Sequence, residues 1–282
     1  MAEPAAAWVT RRPAPALAHA VERYIGYRAV GFAPGIHRGL PSRHQTFIVS
    51  IGPAIDVVAH TDPRQAPGSY RAVLSGLQAT PALIAHDGNQ EGVAIELTPP
   101  GCRALFGLPS AALFDTTLEL ADLTGPAGVE LWERLQGDAP WERRFAIVDD
   151  VLTRLVADDD PVEPALRRAW SLLTGSAGSL AVTDLARTIG WSRQHLARRF
   201  AGEYGLTPKV AARVVRFERA RRLLEMPTPG RSIAEVAAAC GYYDQAHLNR
   251  DVAALAGCSP GQLVAGDDLP SFQDDEAAEA AA

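Results

Sequence analysis

The sequence predicts an α+β protein, with a mixed, β-rich N-terminal domain that ends in helices. An all-α domain of two helix-turn-helix units joined by a linker helix follows it. Three observations carry that prediction. Apolar runs in the first 125 residues are short and bounded by Gly, Pro, Asp or Asn. An apolar stripe at steps of four and three follows Pro140. A block beginning near Leu185 recurs about fifty residues later.

In chain order, Ala14–Tyr27 is expected to be helical, because Leu17, Val21, Tyr24 and Ile25 fall at helix spacing. Thr46–Ile51, Ile55–Ala59 and Val93–Leu97 read as strands, and Pro63–Ser69 as a turn-rich loop. Trp141, Phe145, Val148, Leu152 and Leu155 give a helix two heptads long. Its stripe fits packing onto its own domain, or a homodimer contact through the Trp141–Leu155 helix. Asp158–Pro164, a charge run with two prolines, is the best boundary. It divides an N-terminal domain (1–157) from a linker and lead-in helix (158–179), with Gly175–Gly178 as a flexible link. The all-α domain (180–264) and a disordered acidic tail (265–282) complete the chain.

Composition narrows the function. Of 282 residues, 47% are hydrophobic and 21% charged, as in ordinary globular proteins. No run of apolar residues is long enough to span a bilayer, so no membrane partner is expected. Met1–Thr10 has no basic region ahead of an apolar core, so no signal peptide is expected and the cytoplasm is the default location, in association with the nucleoid if DNA is bound. Cys102, Cys240 and Cys258 share no CxxC spacing, which supports neither a disulfide framework nor a zinc site. The net charge of −6 hides an asymmetry. Between Arg187 and Arg231 there are 11 basic residues and three acids, the footprint of a surface for a polyanion.

The repeat has the chemistry of two helices and a tight turn, used twice. Leu185-Ala186 and Gly190 recur as Val236-Ala237 and Gly241; after one inserted residue, Leu196, Arg198, Gly205 and Thr207-Pro208 recur as Leu248, Arg250, Gly257 and Ser259-Pro260. Ser232-Ile233-Ala234-Glu235 is a capping box, and Ile233, Val236, Ala237 and Cys240 form one apolar face behind it. Ser192 is placed to cap the next helix of unit one, and Asp244 or Tyr243 that of unit two. HTH 1 is therefore set at about 183–202, the basic linker helix at about 208–225 and HTH 2 at about 232–256.

In the second helix of unit one, Leu196 and Phe200 point inward, which leaves Arg193, Gln194, Ala197 and Arg198 outward. In unit two, Leu248 and Val252 point inward, and Gln245, Ala246, Asn249 and Arg250 are the counterparts. Arg suits guanine O6/N7 and Gln or Asn suits adenine N6/N7 in a major groove. Ser192, Arg199, Lys209, Arg213, Arg231 and Tyr243 are expected to meet phosphates.

These residues resemble the AraC/XylS family of bacterial transcriptional regulators from about Leu180 to Leu263. The resemblance is carried by Gly190-Trp191-Ser192, Leu196–Phe200, Gly205–Pro208, Arg216–Leu224, Ile233–Ala237, Gly241-Tyr242, Asp244–Leu248 and Ser259-Pro260. It implies double-stranded promoter DNA as partner, read by two recognition helices in successive major grooves about 34 Å apart. It further implies an N-terminal domain that senses a small-molecule effector or mediates dimerisation, and contact with RNA polymerase where the protein activates. Two departures stand out. Arg250 is followed by Asp251-Val252-Ala253-Ala254 rather than Phe and basic residues, and Ala201-Gly202 follow Phe200. Unit one and the linker helix are therefore expected to dominate affinity. Ser75–Leu77, Leu97–Gly107 and Pro109–Leu113 resemble the sensor domain of an actinobacterial-type branch of the family.

Tyr24, Tyr27, His37, Arg38, His44 and Phe47 are candidates for lining an effector pocket, against ordinary packing roles. His37, His44, His60 and His86 have irregular spacings, so no metal or other cofactor is expected. No nucleophile–base pattern occurs, so the chain is not expected to be an enzyme. A low-specificity architectural DNA binder, and an enzyme localised to DNA by its C-terminal domain, are the alternatives.

Overall fold

The computed structural model describes residues 3–156, 162–226 and 231–266. Most of the predicted boundary and nearly all of the predicted acidic tail lie outside them. The N-terminal part contributes β1 (Ala5–Arg11), β2 (Val21–Val30), β3 (Gly35–Gly39), β4 (Gln45–Ser50), β5 (Ile55–Ala59), β6 (Gly68–Tyr70), β7 (Ala72–Ser75), β8 (Ala82–His86), β9 (Gln90–Leu97) and β10 (Thr117–Glu119). They form a six-stranded sheet in the order β1-β2-β9-β4-β7-β10 and a four-stranded sheet in the order β3-β8-β5-β6. Every pairing is antiparallel.

Ala14–Tyr27 is not a helix. Pro15–Leu17 makes one 3-10 turn, and Val21 enters a ten-residue strand. The misleading spacing has a physical source, an extra residue in β2 where the pairing runs from Val21↔Leu97 to Tyr24↔Ile95. That bulge shifts the alternation of apolar positions and mimics steps of four and three. The predicted strands at 46–51, 55–59 and 93–97 correspond to β4, β5 and the end of β9, and the loop at 63–69 runs into β6.

Helices α1 (Pro99–Phe106), α2 (Leu120–Thr124), α3 (Pro126–Leu135) and α4 (Trp141–Leu155) accompany the larger sheet. The stripe of α4 is spent inside its own domain, where Phe145, Val148 and Leu152 are buried with Phe47, Val93 and Ile95. Trp141 lies so close over Gly26 that a Cβ there would fall 2.4 Å from the indole. Phe145, Val148 and Leu152 are therefore not free to make the expected homodimer contact through this stripe.

The C-terminal part contains α5 (Pro164–Gly175), α6 (Val182–Ile189), α7 (Arg193–Tyr204), α8 (Pro208–Glu225), α9 (Ile233–Ala239), α10 (Gln245–Ala256) and α11 (Pro260–Ala265). They enclose one core, with Leu166, Trp170, Leu196, Phe200, Phe217, Val236, Leu248 and Val252 among its members. The stretch 175–178 is not a flexible link. Gly178 donates its N–H to Leu173 O at 3.0 Å, and the turn closes tightly on Ala212. Leu40 and Leu77 of the N-terminal part join this core, so the two domains are packed against one another.

Candidate nucleic-acid interface

The local chemistry read from the repeat sets both units. Ser192 caps α7 by accepting from His195 N–H, and Thr207 caps α8 by accepting from Val210 N–H. The capping box of Ser232 and Glu235 is formed, with a second one made by Ser259 and Gln262. Between the two candidates for the α10 cap, Asp244 takes the role, its carboxylate 2.6 Å from His247 N. Each such cap contributes about 1 kcal/mol. Gly190 and Gly241 occupy the left-handed region at φ 82° and 72°, a conformation that suits the end of the first helix of each pair.

With Leu196, Phe200, Leu248 and Val252 fully buried, the opposite faces of α7 and α10 are presented to solvent. Arg193, Gln194, Arg198, Gln245, Ala246 and Arg250 are exposed, and Ala197 is half-buried. Asn249 is also half-buried, and its Oδ1 is enclosed without a hydrogen bond among the described residues. Val252, the repeat counterpart of Phe200, is fully buried despite its smaller size.

The phosphate set divides. Ser192, Lys209 and Arg231 are exposed, and Tyr243 stands 93% exposed beside the start of α10. Arg199 is exposed and pairs with Glu163 at 2.6 Å. Arg213 is committed elsewhere, since its guanidinium grips Asp251 of α10 at 2.9 Å and the Asp251 side chain is only 7% exposed. Asp251, which stands where unit one has Arg199, thus ties the linker helix to unit two.

A feature of the repeat escaped the sequence reading. Trp191 meets His195 edge-on at 4.6 Å and 87°, and Tyr242 meets His247 at 5.1 Å and 88°. Each ring follows the helix-stopping glycine, and each histidine stands in the first turn of α7 or α10. The signal was present, because the two histidines and the two rings are also repeat partners. Arg216 of α8 lies 5.0 Å over the Tyr242 ring, adding a cation–π contact from the linker helix to unit two.

The six effector candidates are not brought together. Tyr24 is in the core, where its hydroxyl donates to Asp149 at 2.9 Å. Tyr27 lines a cleft of about 490 Å³ with Ser50, Ile55, Asp56, His86 and Glu91, residues drawn from both sheets. His44 and Phe47 line a smaller cavity of about 40 Å³ that Glu218 and Arg221 of α8 close from the other domain. His37 and Arg38 lie on β3 of the smaller sheet. The His37 ring is 5.6 Å from that of His86, and burial, then the His86 charge, pulls its pKa down to about 4.

Glu22, His44 and Glu96 present ligand-type atoms within 4.8 Å of one another. Arg43 already pairs with Glu22 at 2.9 Å, and Arg23 grips Glu96 with two hydrogen bonds of 2.8 and 3.0 Å. With both carboxylates so neutralised, the cluster suits a protonated imidazole better than a divalent ion. Burial alone would lower the His44 pKa, but the Glu96 charge and the hydrogen bond to Glu22 outweigh it, and the net direction is upward. No helix among the described residues is long and apolar enough to cross a membrane.

The interdomain contacts were also beyond sequence reasoning. Ser42 Oγ and the Arg43 N–H both donate to Oε1 of buried Glu218, at 2.8 and 3.1 Å. Arg103 of α1 grips Glu203 of α7 with two hydrogen bonds of 2.7 and 2.9 Å. Each acid has arginines three or four residues away in sequence, Arg199 for Glu203 and Arg221 and Arg222 for Glu218, so nothing local pointed to a partner in the other domain.

A family model described as a helix-turn-helix domain matches residues 185–265. An uncharacterized HTH-type transcriptional regulator of Bacillus subtilis (strain 168), YbfI, is 33% identical over 72 residues, 26% of this chain and 25% of that protein. The chain thus aligns with only about a quarter of that relative. The structure of ToxT from Vibrio cholerae shares the fold across 94% of this chain and 99% of that one, with a TM-score of 0.51 and 11% identity. Another ToxT structure, bound to (E)-4-(8-methylnaphthalen-1-yl)but-3-enoic acid, covers 91% of this chain and 98% of its own, with a TM-score of 0.50 and 12% identity.

Proposed function

We propose that this chain, whose residues 185–265 are a helix-turn-helix domain of the AraC type, is a sequence-specific DNA-binding regulator of transcription that answers to a small-molecule effector. The observation that carries the reading is the equivalence of α7 and α10. Each is capped at its start, buries a leucine at the same place in the repeat, and presents an arginine outward at a matching position, Arg198 in one and Arg250 in the other, with a glutamine exposed in its first turn. Side chains of this kind read base edges in major grooves, and the flanking basic residues supply sequence-independent grip on phosphates. Arg193, Gln194, Ala197 and Arg198 read one half of the site, and Gln245, Ala246, Asn249 and Arg250 the other. Ser192, Arg199, Lys209, Arg231 and Tyr243 hold the backbone.

The effector role belongs to the N-terminal domain. Support comes from the cleft of about 490 Å³ between the two sheets, within the range of small-molecule sites, and from an acid-bound neighbour of the same fold. RNA polymerase is a further partner if the protein activates.

Footprinting of the full chain on fragments of its own genome tests the DNA reading. Protection of defined sequences, with affinity falling steeply as salt rises, is the expected result. Uniform protection without sequence preference would replace it with an architectural role. The absence of any protection would remove it.

A further inference from the structure

Three stretches of the N-terminal domain, Ser75–Leu77, Leu97–Gly107 and Pro109–Leu113, take no part in the DNA-reading surface. All three nonetheless lead to the helix-turn-helix domain, the second and third at the C-terminal end of α7. Arg103 places both its forks on Glu203, whose side chain is only 8% exposed. Phe114, directly after the third stretch, packs on Gly205, where a Cβ would fall 2.6 Å from the Phe114 Cβ. Leu77 is buried in the core of the helix-turn-helix domain.

The stretches are built to fix these contacts. Thr98 caps α1 by accepting from Gly101 N–H and donates its own hydroxyl proton to Ala20 O at 3.0 Å. Gly101 lets that turn press on Ala20, since a Cβ would lie 2.2 Å from the Ala20 carbonyl oxygen. The start of α1 is thereby pinned to the sheet, and Arg103 is held one turn further on. Gly76 sits against Leu113 so closely that a Cβ would fall 1.8 Å from its carbonyl oxygen. The Gly76 N–H then reaches Thr116 O, and the Asp115 N–H reaches Leu77 O. Glu203 itself is unfavourable where it stands, because a carboxylate in the last turn opposes the helix dipole and a buried one requires a partner. Arg103 meets both needs from the other domain.

We propose that these three segments form a socket that sets the orientation of α7, with Arg103 as a positioning residue for base reading by the first unit. The inference rests on the DNA reading above. Its test compares the full chain with its Arg103→Ala variant on two duplexes. One is a footprinted site; the other has scrambled the half whose protection is lost in Arg198→Ala. Arg103→Ala is expected to bind the intact duplex roughly five- to tenfold more weakly, and to match the wild-type chain on the scrambled one. The charge-exchanged double variant, Arg103→Glu with Glu203→Arg, should recover part of the discrimination. Equal losses on both duplexes, or undiminished discrimination in Arg103→Ala, would overturn the socket. Should Arg103→Ala fail to fold by thermal melting, Arg103→Lys carries the comparison, since it keeps the charge and loses the two-pronged grip; full discrimination there overturns the proposal. A wild-type chain with no preference between the duplexes would instead refute the DNA reading.

Discussion

Replacing Arg213 with alanine separates two roles that the sequence could not tell apart. Read from sequence, Arg213 is a phosphate contact; in the fold it is a strut between α8 and α10. Its Nε and terminal nitrogen reach the same oxygen of Asp251 at 3.0 and 2.9 Å, while the other oxygen is enclosed without a hydrogen bond among the described residues. Removing one member of a fully buried pair costs about 3–5 kcal/mol, because a charge is left behind without compensation. Here the arginine is 31% exposed and the aspartate 7%, so water already screens part of the attraction, and about 2 kcal/mol is the better expectation. For a cooperative unit of roughly 100 residues that is a fall of about 10 °C in Tm. The assay is thermal unfolding followed by circular dichroism, together with DNA affinity measured across a salt series. A strut leaves the slope of log affinity against log salt unchanged, whereas a lost phosphate contact makes it shallower by about 0.9. Adding Asp251→Ala to Arg213→Ala should recover much of the stability, since no orphaned carboxylate then remains. An unchanged Tm with a shallower slope would refute the reasoning and restore Arg213 to the phosphate set.

Arg198→Ala is expected to weaken DNA binding more than Arg250→Ala, by about 1 kcal/mol, because Arg199 and Lys209 flank the first reading helix while Asp251 and two alanines follow Arg250; a larger loss from Arg250→Ala in a gel-shift titration would reverse the order of the units. Stability should also respond to pH through His44. Its raised pKa means that its contribution is fully present below about pH 6.5 and is lost as the pH rises through the folded value, while Glu22, held down to about 2 chiefly by its hydrogen bond to His44, contributes above its ordinary 4.5 and loses that only in strong acid. His44→Gln should therefore flatten the fall in Tm as the pH rises above about 6.5, and an unaltered fall would remove His44 as its cause. Gly76→Ala should cost about 3 kcal/mol or more, as its Cβ would meet the Leu113 backbone at 1.8 Å, and a melt indistinguishable from wild type would contradict that packing.

The C-terminal half was legible from its amino acids in some detail. Its decisive signals are local: Ser192, Thr207, Ser232 and Ser259 cap helices that begin within a residue or two of them, and Gly190 and Gly241 stop helices at once. Because the repeat states each signal twice, the inward faces led by Leu196 and Leu248 could be told from the outward ones. The N-terminal half was legible only where a strand alternated cleanly, as in Ile55–Ala59. One extra residue in β2 was enough to turn a strand into an apparent helix, because periodicity records spacing and not pairing. Tertiary structure alone decided which partners met across long separations. Arg103 with Glu203, Ser42 with Glu218 and Arg213 with Asp251 are 100, 176 and 38 residues apart, and each carboxylate is buried. An acid in a basic helix reads as a solvated side chain until the fold removes the solvent. That removal is the physical reason the helices could be placed from sequence while the contacts that hold them to one another and to the N-terminal domain could not.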